Sequence, residues 1–267
     1  ALLYEPMRMV EPPSDANANA HFILQPDYSL AAENAVPTVS VTAFQTYLTS
    51  PFRFFLQTFM HMGDEDFEPK ELAKNTFGTC IHAALERAAK EPVADPQRLK
   101  ERLFEELDVY MRLQYGSPLP VLPAIQNEQM KQRLAHCAEV LAQSAKDGFV
   151  PIETEYSLGG KGGSIEFCGL NIKGRIDRIE YSVAQNRLRL IDYKTGDRGK
   201  SPEETHLTGR KKDTFINLQL PLYRMLILRD PVFRERHPEI DLNTALITCG
   251  YLNMPASVME TKILEWH

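Results

Sequence analysis

Apolar residues recur at helical spacing before residue 148 of this 267-residue chain and at every second position after it, and that change of period divides the chain. Residues 1–38 contain Pro12, Pro13, Pro26 and Pro37 with little periodicity, so an irregular segment is expected there. Thr42 followed by Gln45 predicts a capping box, and Pro51 suits the first turn of a second helix. Phe44, Tyr47, Leu48, Phe52, Phe55, Leu56 and Phe59 form a stripe whose simplest role is core packing. Gly78 and Thr79 precede a helix with Ile81, His82, Leu85 and Ala89. Asp95 caps another, with Pro96 at its first position and Leu99, Leu103, Leu107 and Tyr110 along one side. A third runs from about Ile125 through Leu134, Cys137 and Leu141 to a stop at Gly148.

Alternation then takes over. Ile152, Thr154, Tyr156 and Leu158 predict a strand, and Gly159–Gly163 a loop into a second strand through Ile165 and Phe167. A third spans Leu170 to Tyr181, and Gln185 and Asn186 turn the chain into a fourth, giving a meander. A helix follows within Phe215–Leu228, capped by Asp213 or Thr214, where Pro221 predicts a kink or a late start. Thr244–Leu252 reads as a further strand and Met259–Leu264 as an edge. The expected organisation is the irregular segment 1–38 and one domain over 39–267, mainly helical over 39–148 and sheet-bearing over 149–267.

Composition narrows the setting. No apolar run approaches the ~20 residues that cross a bilayer, and the start has no secretory pattern. Cys80, Cys137, Cys168 and Cys249 are too scattered for a metal or disulfide framework, so a soluble, cytoplasmic protein is expected. The opening without methionine suggests a fragment of something longer. The net charge of −6 excludes a globally basic nucleic-acid footprint. Cations are nevertheless concentrated at Arg198, Lys200, Arg210, Lys211 and Lys212, while acid gathers in helices and at Asp64–Glu71.

That basic stretch follows the most informative strand. Period two puts Leu188, Leu190, Asp192 and Lys194 on one face and Ile191 and Tyr193 on the other. Taken alone, Asp192 and Lys194 would be a surface ion pair of small worth. On the preceding strand, Asp177 sits among apolar neighbours, and a hairpin centred on Gln185/Asn186 pairs position 177 with roughly 194. Two buried carboxylates side by side repel unless a cation separates them, and a hard divalent ion is the simplest resolution. Lys194 beside it could orient water and offset charge on a phosphate. His82 could add an imidazole, although a lone helical histidine is more often a core residue.

Together these segments resemble the PD-(D/E)XK nuclease superfamily, in its RecB-like branch of helicase-nuclease and CRISPR-adaptation exonucleases. The resemblance rests on Gly78-Thr79-Cys80-Ile81-His82, Gly174-Arg175-Ile176-Asp177, Asp192-Tyr193-Lys194-Thr195-Gly196, the pair Gln219/Tyr223, and Thr46–Phe55, in that family's order over roughly residues 38–253. It implies an α/β, restriction-endonuclease-like core, with a central mixed β-sheet flanked by helices and an additional N-terminal helical region. The implied activity is metal-dependent hydrolysis of DNA, as an exonuclease of repair or recombination beside a helicase domain or subunit.

By the same resemblance, His82, Asp177, Asp192 and the Tyr193 carbonyl would hold Mg²⁺ or Mn²⁺. Lys194 would be the catalytic lysine, Gln219 and Tyr223 would hold the DNA backbone near the metal, and Glu155 would be a supporting acid. The basic residues 198, 200 and 210–212 would neutralise DNA phosphates. Several such nucleases carry an iron-sulfur cluster, with a first cysteine where this chain has Ser50; no cluster is expected here. The competing reading is a catalytically inactive nuclease-like module that binds DNA or a partner. A hydrolase of small phosphates leaves Gln219 and the basic stretch unexplained.

Overall fold

The computed structural model describes residues 38–58, 74–89, 93–209 and 211–266. A short strand β1 (Thr38–Ser40) leads into helices α1 (Ala43–Thr49) and α2 (Pro51–Thr58). Pro51 opens α2 as expected, but the capping box does not form. Thr42 is already helical at φ −71°, and Ser40 Oγ accepts the Ala43 N–H at 3.1 Å instead. The aromatic stripe is not core either: neither helix has a fully buried residue, and Tyr47, Leu48 and Phe52 are 50%, 40% and 51% exposed. Tyr47 packs edge-on against Phe54 at 5.4 Å, and Phe44 packs against the sheet core. Phe59 and the acidic 64–71 stretch lie outside the described residues.

Helices α3 (Lys74–Ala88), α4 (Pro96–Tyr115) and α5 (Val121–Lys146) form one layer. Asp95 accepts the Arg98 N–H at 2.7 Å, satisfying an otherwise unpaired donor of α4, and Leu99, Leu103, Leu107 and Met111 make its buried stripe. Helix α3 begins before Gly78 rather than after it. A side chain at Gly78 would meet Thr195 Oγ1 at 3.0 Å, so the glycine marks a close approach of helix to sheet.

The chain then builds β2 (Val150–Ser157), β3 (Ile165–Phe167), β4 (Leu170–Lys173), β5 (Arg175–Ser182) and β6 (Arg187–Lys194). Next come α6 (Pro202–His206), the hairpin β7 (Leu207–Thr208) and β8 (Thr214–Phe215), α7 (Gln219–Ile227), α8 (Pro231–Arg236), β9 (Leu246–Asn253) and β10 (Lys262–Trp266). The helix expected over 215–228 begins only at Gln219: Thr214 and Phe215 belong to β8, and Leu218 rather than Asp213 or Thr214 precedes the first turn, so Pro221 sits where its missing N–H costs nothing. The central sheet has the order β10-β9-β6-β5-β2, antiparallel except for the parallel pair β6/β9, which requires the crossover through α6–α8.

The expected meander is split in two. The segment read as a single strand over 170–181 breaks at Gly174, and β4 joins β3 and a parallel β1 in a separate three-stranded sheet. Its partner β1 is more than a hundred residues away in sequence, beyond the reach of local periodicity.

Period two in β6 separates two cores. Leu188 and Leu190 pack with Leu220, Leu226 and Phe233 on the crossover side, while Ile191 and Tyr193 pack with Leu85, Leu107 and Leu134 of the helical layer. Glu180, fully buried, lies between Arg178 and Arg189, and Ser144 of α5 and Glu265 of β10 complete the network. Removing one partner from such a set strands buried charge. Glu180→Ala is therefore expected to lower the unfolding free energy by about 3–5 kcal/mol in urea titration.

Candidate active site

Strands β5 and β6 are paired from Ser182/Arg187 to Arg178/Ile191. The connecting turn holds four residues, with Asn186 at φ 44°, so the expected pairing of 177 with 194 is corrected by two: continued, this register sets Asp177 opposite Asp192. There the strands part. Asp177 Oδ2 accepts the Tyr193 N–H at 2.6 Å, replacing the ladder, while β6 remains zipped to β9 as far as Lys194/Asn253.

The divergence opens a cleft of about 540 Å³ lined by His82, Asp177, Asp192, Tyr193, Lys194, Gln219 and Tyr223, together with residues 40–42 and 173–175. His82 Nδ1 lies 3.3 Å from Glu155 Oε1 and 3.6 Å from Asp177 Oδ1. Donor atoms of His82, Glu155 and Asp177 all fall within 4.8 Å of one another. Asp192 faces the crossover helix: Oδ1 accepts from Gln219 Nε2 at 2.6 Å and Oδ2 meets Lys194 Nζ at 2.7 Å. Lys194 also reaches Gln219 Oε1 at 3.2 Å, and the Tyr223 hydroxyl donates to the Arg175 carbonyl at 2.7 Å.

Several local features make this arrangement possible. Glu155 sits at φ 48°, a left-handed conformation costly for a side-chain-bearing residue, and its other oxygen pairs with Arg175 Nε at 2.8 Å. A Cβ at Gly174 would lie 2.9 Å from Val41 and Leu158 and 3.2 Å from Tyr223, so only glycine lets β1 and α7 close over the strand. Arg133 of α5 donates to the carbonyls of Thr195 and Met254, at 2.6 and 3.0 Å, tying down the ends of β6 and β9.

Charge in the cleft is unbalanced. Burial, then the negative charge of Asp192, pushes Asp177 up to about 7, against the pull of His82 and the Tyr193 N–H. Burial opposes a charged His82, but its hydrogen bond to Glu155 and the carboxylates of Asp177, Glu155 and Asp192 prevail and raise its pKa. An imidazole and buried carboxylates converging with a surplus of negative charge form a donor set that a divalent cation fits.

Not every expected residue lies here. Arg198 and Lys200 are exposed before α6, and Lys211 and Lys212 are exposed at the β7–β8 tip; none is among the described residues lining the cleft, and Arg210 lies outside the described residues. The lining cations besides Lys194 are Lys173 and Arg175, which sequence reasoning passed over although they flank Gly174. Glu155, expected only in support, belongs to the tightest cluster.

The family model of the PD-(D/E)XK nuclease superfamily matches residues 38–258. This chain belongs to that superfamily. Its mixed five-stranded sheet between helical layers is the restriction-endonuclease-like core. The chain is similar to a subunit of the ATP-dependent helicase/deoxyribonuclease of Bacillus subtilis (strain 168), 25% identical over 194 residues, covering 62% of this chain and 16% of that protein. The corresponding subunit of Bacillus velezensis is 32% identical over 89 residues, 30% of this chain and 8% of that protein. An uncharacterized protein of Rickettsia conorii is 23% identical over 188 residues, 65% of this chain and 21% of that one. The chain thus spans about a sixth of the length of the Bacillus subtilis relative.

The raised Asp177 pKa has a measurable consequence for this family member. An acid with an elevated folded pKa stabilises the fold while protonated, and that contribution is lost as pH rises from about 4 through 7. His82, also raised, acts in the same direction, stabilising below its unfolded pKa and losing that contribution as pH rises through the folded value. Without metal, Asp177→Asn is expected to gain on the wild type between pH 5 and pH 8 by on the order of 2–4 kcal/mol. Urea unfolding at both pH values measures it. Excess Mg²⁺ or Mn²⁺ at pH 8 should stabilise the wild type and leave the variant nearly unchanged.

Proposed function

We propose that this chain is a divalent-metal-dependent DNA nuclease module, acting as an exonuclease in DNA repair or recombination. One observation carries the reading: a single cleft is lined by His82 and Asp177, which cluster with Glu155, and by the Asp192–Lys194–Gln219 set, and is rimmed by Lys173 and Arg175. Membership of the nuclease superfamily supports the reaction class. The names of the Bacillus relatives support DNA as substrate and a helicase domain or subunit as partner. We assign the module to the cytoplasm. Its four free cysteines accord with a reducing compartment, and no helix among the described residues is long and apolar enough to cross a membrane.

His82, Asp177, Asp192 and the Tyr193 carbonyl, with Glu155 as a further carboxylate, would hold Mg²⁺ or Mn²⁺. When bound, the ion would supply Lewis acidity toward a phosphate oxygen and ease deprotonation of water. Lys194, kept in place by Asp192 and Gln219, points its amine into the same cleft and offsets charge developing on the phosphate. Gln219 orients that lysine, and Gln219 and Tyr223, themselves in contact, would help hold the DNA backbone near the metal. Lys173 and Arg175 at the rim take the flanking phosphates, and Arg198, Lys200, Arg210, Lys211 and Lys212 extend the track without reading bases.

The test is a Mg²⁺- or Mn²⁺-dependent assay on linear and circular, single- and double-stranded DNA. Lys194→Ala is expected to lower kcat by about 10²–10³-fold while DNA still binds. Binding without cutting by either protein would instead favour a non-catalytic module. Replacing Lys200, Lys211 and Lys212 with alanine should flatten the slope of log K against log salt by about 2 to 3 if all three contact phosphates. An unchanged slope would remove them from the track.

A further inference from the structure

His206 and Tyr251 are both fully buried and are not among the described residues lining the cleft. His206 closes α6 with its ring held at both nitrogens. Nδ1 lies 2.8 Å from the Asn217 carbonyl oxygen, and Nε2 lies 2.6 Å from the Tyr251 hydroxyl. A carbonyl only accepts, so Nδ1 carries the hydrogen, and Nε2 of the neutral ring accepts from the tyrosine. Burial lowers the His206 pKa against the opposing effect of the Asn217 bond, in keeping with that neutral form. The two rings lie side by side, joined edge to edge by that bond, with centroids 5.9 Å apart and planes 19° apart, and the Trp266 ring of β10 lies 4.8 Å from the imidazole.

Tyr251 is thereby fixed, and its face lies 4.7 Å from Lys194 Nζ. The lysine amine thus has three partners, the Asp192 carboxylate, the Gln219 amide and this ring. Asn217, whose carbonyl anchors His206, also accepts the Gln219 N–H on its side chain at 2.8 Å. One buried unit therefore supplies one of these partners, the Tyr251 ring, and braces a second, Gln219. A lysine side chain loses about 2 kcal/mol of rotamer freedom when fixed, and a displacement of about 1 Å at a reacting centre costs on the order of 100-fold in rate.

We propose that His206, Tyr251 and Asn217 form a buried bracket that positions Lys194 and Gln219 for phosphodiester hydrolysis, with the Tyr251 ring as the platform under the lysine amine. The bracket rests on the nuclease reading of the cleft. Its members are positioning residues that act through Lys194 and Gln219.

Tyr251→Leu removes the platform, whereas Tyr251→Phe keeps it and removes only the hydroxyl's bonds to His206 and Thr205. The expected kcat falls by on the order of 100-fold in Y251L and about fivefold in Y251F, with KM for DNA unchanged in both. A merely structural role would be rescued by Tyr251→Met, which fills similar space, as well as by phenylalanine, whereas a platform is rescued by phenylalanine alone. Independently of activity, the ε-methylene protons of Lys194, assigned by comparison with Lys194→Ala, should show an upfield ring-current shift in wild type and Y251F, and lose it in Y251L. If Y251L does not fold, Tyr251→Met fills similar space without an aromatic face and takes its place.

A Y251L enzyme as fast as wild type, or a wild type without the ring-current shift, overturns the bracket. A wild type that shows the shift yet cuts no DNA with either metal overturns the nuclease reading, and the bracket's catalytic purpose with it. Intact geometry distinguishes that second failure from the first.

Discussion

Asp177 and Asp192 bring two carboxylates, 7% and 5% exposed, to the point where β5 and β6 separate, and the rest of the cleft answers the charge they create. Carboxylates this close and this dry repel, and each needs its own donors. Asp192 takes them from Lys194 and Gln219 on the crossover side. Asp177 takes the Tyr193 N–H and faces His82 from the helical layer. Glu155 adds a third acid to the same corner, partly balanced by Arg175. What stays unbalanced around Asp177 is charge that a divalent cation would offset.

The same chemistry has the opposite outcome farther along the same strands. Arg178, Glu180 and Arg189 are as buried as the two aspartates, but opposite charges are interleaved there, and Ser144 and Glu265 supply further partners. That network is closed and points to stability. The cleft is open at one end of the sheet and lacks such closure, which points to a ligand. Both cores of the domain meet at the boundary between them, because β6 sends alternate side chains into each.

Local sequence carried the helices α4 and α5, the face division of β6 and the late start of α7, since each follows from a cap, a proline or a period. It failed where a neighbouring group competed for a cap, where a turn was longer than the tightest hairpin, and where a partner came from far away. The Thr42 hydroxyl lost its capping role to Ser40, and Tyr47, Leu48 and Phe52 of the aromatic stripe stay exposed. Strand β4 left the meander for β1. The two-residue register error at Asp177 came from counting a four-residue turn as a two-residue one.

The candidate site divides along the same line. Sequence by itself determined which chemical groups were available and in what order: His82, Asp177, Asp192, Lys194, Gln219 and Tyr223 stand in short motifs whose spacing is set by a strand or a helical turn. Only the tertiary structure decided that Glu155 would join His82 and Asp177, that Gly174 would let β1 and α7 close in, and that Tyr251, bonded to His206, would lie beneath Lys194. Those contacts join residues tens to more than a hundred positions apart, and no local period encodes them. They arise because burying both faces of one sheet brings the ends of unrelated elements to the same place.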